Sequence, residues 1–369
     1  MRRVITVLVA AGFVMMAILA LGAEAEPGGK GGGKGKPTTT TTVVAGSGWA
    51  LESLDSGVFD RLVVEVAAAG PGVVAVGRDT PEGEFGSPGD AAVWTSTDGV
   101  TWSRVEHDPS VFGDISLSEV TAFGSGVVAI GRDWVAENLE GHTVVLLSDD
   151  GFSWRRVPDD PALVGVAFSD VTVGGPGLVA VGFALAEPFE GTVWTSEDGT
   201  QWTPIGIGSS SCLAAVTNAS ALLVAIGDGG IVTSPDAESW TFRKSSVNGS
   251  CSSSIISGPT GIVAANFHDM WRSLDGRKWK KTSLPGPSEV YSIAAYSGGF
   301  VAVGEADGSA AAWTSPDGRS WSRVPHDPAV FPAGHMNTVT AGGPGLVAFG
   351  QQCFDDGHCE QALWTWQEL

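Results

Sequence analysis

Six times along the chain a Ser is followed two residues later by Asp, and four residues after that by Trp. The copies are Ser96-Asp98-Trp102, Ser148-Asp150-Trp154, Ser196-Asp198-Trp202, Ser234-Asp236-Trp240, Ser273-Asp275-Trp279 and Ser315-Asp317-Trp321. Gly follows the Asp in five of them, and Ala237 takes its place in the fourth. Successive motif Trp residues lie 52, 48, 38, 39 and 42 positions apart. A repeat of this period, rich in Gly, Val and Thr, predicts one four-stranded β-propeller blade per unit and excludes a helical solenoid.

Within a unit, an alternating strand leads through a Gly-containing turn into a short, almost wholly apolar strand such as Val73–Val76 or Val127–Ile130. Continuous apolar runs of that length suit strands covered on both faces. A third strand ends near Trp-Thr-Ser and a fourth starts at the motif Trp. After the sixth motif, residues 337–350 repeat the first two strands and residues 362–366 the third, and there the chain stops. The missing fourth strand lies at the other end. Trp49 precedes Phe59 by ten residues, as Trp102 precedes Phe112 and Trp321 precedes Phe331. The expected fold is therefore an all-β, seven-bladed propeller of four-stranded antiparallel blades, its last blade closed by the N-terminal strand. Closure removes the sheet edges that an open array would expose.

These motifs resemble Asp-box (bacterial neuraminidase repeat) propellers over residues 48–369. The family spacing is Ser-x-Asp-x-Gly-x-Thr-Trp, and every repeat here is one residue shorter. In the family the boxes lie on the face away from the substrate site, and six copies spread round a ring cannot converge on one pocket. A structural role is expected: Ser and Asp side chains accepting turn N–H groups, Gly taking positive φ, and Trp burying its ring. Sialidase chemistry would need three arginines on the substrate carboxylate, a Tyr with a Glu partner, and an acid/base Asp. This chain has two Tyr residues, Tyr291 and Tyr296, and the Gly-Arg-Asp segments at Arg78 and Arg132 have no third copy. Sialidase activity is not carried over.

Residues 1–25 combine a basic start, an apolar run and Ala23-Glu24-Ala25, which predicts a secretory signal peptide, with retention as an N-terminal anchor the alternative. Residues 26–47, Gly/Lys-rich and then Thr-rich, predict a linker. A secreted or cell-surface location follows from the leader, and a monomer is expected. The net charge of −21 excludes nucleic acid and anionic lipid as partners and favours cations or basic partners. In an exported chain Cys353 and Cys359, six apart, are expected to pair. Cys212 and Cys251 occupy one place in successive repeats and are a second candidate pair. A metal site on Cys353, His358 and Cys359 lacks a fourth ligand nearby, and no cofactor or metal is expected.

Twelve of the 14 Trp residues fall into repeat register, leaving Trp134 and Trp366. Of these, Trp134, in a long polar loop, is the surface candidate. Loops joining second to third strands are long in blades one, two, three and seven, and share one face with the channel mouth. Binding on a rigid scaffold concentrates in such loops. The candidate ligand face comprises Arg78, Phe85, Arg132, Trp134, Phe189 and Phe354, with Glu65, Glu119 and Asp170 at matching places on the first strands of blades one to three. The expected function is a non-enzymatic extracellular module binding a protein or glycan. The alternative is a glycoside-active enzyme using the three carboxylates, favoured by raised carboxyl pKa values and by a suitable spacing between them.

Overall fold

The computed structural model describes residues 41–43 and 48–367, apart from 56, 60–61, 80–88, 134–140, 186–189, 208–211, 220 and 248–252. Seven antiparallel sheets follow one another, six of four strands and one of five. Blade one is Leu62–Ala69, Gly72–Asp79, Asp90–Ser96 and Ser103–Arg104; the same order recurs to blade six, from Glu289–Tyr296 to Ser322–Arg323. Blade seven takes Gly334–Gly342, Gly345–Cys353 and Cys359–Gln367 from the C-terminus and Trp49–Glu52 from the N-terminus. Trp49 pairs with Trp366 and Glu52 with Leu363, so the N-terminal strand closes the last blade. Thr41–Val43, placed in the linker by the sequence, adds a fifth strand outside Trp49–Glu52. First strands of consecutive blades touch all the way round, including blade seven against blade one.

The core is divided into layers between blades. One contains Trp94, Trp102 and Phe59 of the first blade with Val347, Phe349 and Leu363 of the seventh. The five third-strand Trp residues are wholly buried, and each faces an Ala across the sheet: Trp94 with Ala75, Trp194 with Ala180, Trp271 with Ala264, Trp313 with Ala302 and Trp364 with Ala348. A large ring opposite a methyl fills the space between blades without overpacking. Trp366 is half-buried against Tyr296, with ring centroids 5.3 Å apart.

The Ser-x-Asp-Gly-x-x-Trp segments are hydrogen-bonded turns between third and fourth strands. In the first, Gly99 N donates to Ser96 Oγ at 2.8 Å, and Val100 N and Thr101 N donate to Asp98 Oδ1 at 2.9 and 2.7 Å. Trp102 Nε1 donates to Gly99 O at 3.1 Å. These bonds hold the Asp98 carboxyl below its ordinary pKa against the effect of partial burial. Ala237, the one non-Gly residue at this position, keeps φ at 66°, and the facing residue in the neighbouring blade is Gly175. Asp98→Ala is expected to cost about 1–2 kcal/mol through two lost turn bonds. Urea unfolding checks this; an unchanged midpoint would deny the turn its role.

Asp108, Asp160 and Asp327, each before a Pro, accept from the N–H two residues on, at Ser110, Ala162 and Ala329. Their recurrence is therefore turn chemistry. Cys353 and Cys359 form a disulfide with Cα atoms 4.1 Å apart. Cys212 is disulfide-bonded as well, while Cys251 lies outside the described residues.

Candidate ligand-binding site at the channel mouth

A repeated irregularity positions the channel-facing side chains. In six blades the register between first and second strands slips by one residue, as between Val63 and Glu65, Leu117 and Glu119, and Phe168 and Asp170. Opposite each slip stands a Gly: Gly77, Gly131, Gly182, Gly227, Gly304 or Gly350. A Cβ on any of them would run into a backbone carbonyl in the first strand or, at Gly227, the one just before it, Cys212 O. Gly thus allows the bulge, and the bulge turns the next residue inward. In blade five Asn266 occupies this position, and the paired stretch ends before it, at Ser254 and Ala265.

The residue after the slip gives a ring round the channel: Glu65, Glu119, Asp170, Ala215, Ser292 and Thr338, with Ser254 at the same level in blade five. The three carboxylates occupy consecutive blades, as the sequence spacing predicts. Several ring-level side chains join one blade to the next. Asp170 Oδ2 accepts from Val216 N at 2.8 Å, and Thr217 Oγ1 accepts from Ser257 N at 3.1 Å. Ser292 Oγ accepts from Val339 N at 3.3 Å, and the Thr338 hydroxyl donates to Glu65. First strands are sheet edges, and these bonds satisfy part of their unpaired backbone.

Burial pushes Glu65 up to about 7 against its bonds from Thr338 and Val66 N. Asp170 also rises to about 7, again through burial, against its bonds from Val216 N and Val171 N. Glu119 is raised well above the ordinary range by burial and by the Asp170 and Glu65 charges on either side. Its carboxyl accepts no hydrogen bond among the described residues. Two of the three carboxyls are therefore tied to the wall, and burial and its two neighbours bias the middle one toward its protonated form. Among the described residues no group of three or more His, Cys, Asp or Glu is placed to hold a metal ion.

One step nearer the loop face, Arg78 and Arg132 follow the bulge glycines of blades one and two, and burial lowers both guanidinium pKa values. At the same register in blade six stands Glu305, directly opposite Glu289. Tyr291 Oη donates to Glu289 Oε2 at 2.8 Å, and its ring lies 5.5 Å from those of both Phe267 and His335. Burial, then the bond to Glu289, raises the Tyr291 pKa and keeps it a neutral phenol. Sequence reasoning did not assign Phe267, Glu289, Glu305 or His335. The usable signal was the repeat itself, because Gly304-Glu305 aligns with Gly77-Arg78 and Gly131-Arg132.

Of the loop candidates, Phe354 is described and 42% exposed. It stands on the hairpin closed by Cys353 and Cys359, its ring stacked 6.3 Å from His358. Phe85, Trp134 and Phe189 lie outside the described residues.

No protein-family model matches the chain, and no curated protein matches it. Solved structures do. A streptogramin B lyase is similar over 89% of this chain and 97% of its own, with a TM-score of 0.52 at 10% identity. A virginiamycin B lyase from Staphylococcus aureus covers 82% and 94%, also at 0.52 and 10% identity. YCF48 bound to a D1 peptide covers 83% and 92%, with a TM-score of 0.53 at 16% identity. At such identities the likeness shows the fold alone: this chain is a seven-bladed β-propeller.

Proposed function

We propose that this chain is an exported, non-enzymatic recognition propeller that takes a segment of a partner protein on its loop-rich face. The observation that carries this reading is the hairpin of blade seven. A disulfide fixes its base, and Phe354 projects from it into solvent. An aromatic side chain held out on a rigid element loses little freedom when a partner covers it, which is what an interface anchor needs. The signal-like leader and Gly/Thr linker suit delivery outside the cell, and the charge of −21 suits a basic partner. YCF48 was solved with a peptide bound, whereas another neighbour of the same fold is a lyase, so fold is neutral between binding and chemistry.

The test is a binding screen of the full chain against cell-surface protein extracts and a glycan array. A captured protein partner should bind Phe354→Ala at least ~10-fold more weakly, the loss of one anchoring ring. Capture indifferent to Phe354→Ala, or glycans as the only ligands, would overturn the proposal. A second reading rests on Glu119, whose raised pKa suits a general acid in glycoside cleavage. Its partners Glu65 and Asp170 are held by wall hydrogen bonds, which weighs against a base or nucleophile beside it. Glycoside turnover abolished by Glu119→Gln would establish that second reading.

A further inference from the structure

Resting on the recognition reading, we infer that Phe267, Glu289, Tyr291, Glu305 and His335 form a pocket for a compact organic cation, the ammonium or guanidinium head of a Lys or Arg side chain. Three blades supply it: Phe267 from five, Glu289, Tyr291 and Glu305 from six, and His335 from seven.

Two independent features of the protein point to a positive ligand. The first is electrostatic. Glu289 and Glu305 are directly opposed on neighbouring strands, an arrangement that costs stability when both are ionised. Among the described residues neither has an ion-pair partner, and the pKa of Glu305 is raised by burial and by the Glu289 charge. His335 does not supply the missing charge, because burial lowers its pKa despite Glu289. A bound cation would relieve the repulsion, so ligand affinity and the carboxylate pair are thermodynamically linked.

The second feature is the aromatic wall. Phe267 meets Tyr291 edge-on at 75°, and Tyr291 meets His335 at 59°, each with centroids 5.5 Å apart. All three are partly exposed rather than sealed in a core layer. Ring faces beside carboxylates attract a cation from two sides, and the ring contribution grows as water is excluded. The Tyr291 hydroxyl, donating to Glu289 at 2.8 Å, ties that carboxylate to one of the three rings. The alkyl chain leading to the cation would add apolar contact with these rings. A neutral chain of equal length would gain the apolar contact but leave the carboxylates unrelieved.

The probes are Nα-acetyl-lysine amide, Nα-acetyl-arginine amide and the neutral isostere Nα-acetyl-norleucine amide, titrated into the full chain near pH 7. Imidazole resonances of His335 and ring resonances of Tyr291 report binding. Either cation should shift both, and norleucine amide should bind at least ~10-fold more weakly. Glu305→Gln should weaken the cation at least ~5-fold. The unfolding midpoint of the variant separates lost binding from lost folding. Equal response to norleucine amide, or no shift at His335 and Tyr291 with either cation, would overturn the inference. If a protein partner found in the screen still depends on Phe354 while binding Glu305→Gln unchanged, this pocket is wrong and the recognition reading stands.

Discussion

Gly182→Ala should destabilise the propeller by about 3 kcal/mol or more, among the larger effects open to a single methyl group. The added Cβ would run into Ala167 O and the adjacent backbone, which belong to the strand paired with Gly182. Relief requires the first strand of blade three to move, and that strand contacts the first strands of blades two and four. The internal control is blade five, where Asn266 already occupies the corresponding place. Asn266→Ala should cost only about 1 kcal/mol, because it removes the Oδ1 acceptor for His268 N and Asp269 N in a short turn. Urea unfolding of both variants checks the pair. Equal, small losses would show that the glycines are not what permits the bulges.

The same bulges explain how much of the site the sequence revealed. The fold was legible because the motif recurs on one period, and because Trp49 and Phe59 reproduce the spacing that precedes each other blade. The row Glu65, Glu119 and Asp170 was legible because equivalent positions in neighbouring blades must meet round a channel. What the sequence did not show was the state of these groups. Their hydrogen bonds come from Val216 of the next blade and Thr338 of the previous one, and the latter lies 273 residues from Glu65. The cluster of Phe267, Tyr291 and His335 was also hidden, since three blades contribute three different residue types. Thr41–Val43 looked like linker because a Thr run carries no alternation, yet it finds an edge on the N-terminal strand.

The carboxylate row has a consequence for stability whose sign is unusual for an acidic protein. Burial raises Glu65 and Asp170 to about 7 in the folded chain, above the ordinary values of 4.5 and 3.8, and Glu119 is raised well above its own ordinary value by burial and by its neighbours. The folded state therefore binds protons more tightly than the unfolded chain. Stability from this row is complete below the ordinary carboxylate pKa and is lost as pH rises through 7. Asp98, Asp198 and Asp275 in the turns act the other way: their pKa values are depressed, so their contribution fades as pH falls below the ordinary range. Maximum stability is expected near pH 5, with a loss on the order of 2–3 kcal/mol toward pH 8 from each of Glu65 and Asp170.

Glu119→Gln isolates the middle carboxyl. Gln keeps the shape and cannot ionise, so it should leave the thermal midpoint near pH 5 almost unchanged and raise it by a few degrees near pH 8. The same substitution would abolish turnover if Glu119 were a catalytic acid, so one variant addresses both wall and chemistry.

These three carboxyls act as proton-holding parts of the channel wall, beneath the face proposed for recognition. Thermal unfolding of the parent chain and of Glu119→Gln, each near pH 5 and near pH 8, tests the wall most directly. The parent midpoint should fall with rising pH, and the variant should recover part of that fall. A parent midpoint that rises from pH 5 to pH 8, or a variant that loses stability at both, would contradict it.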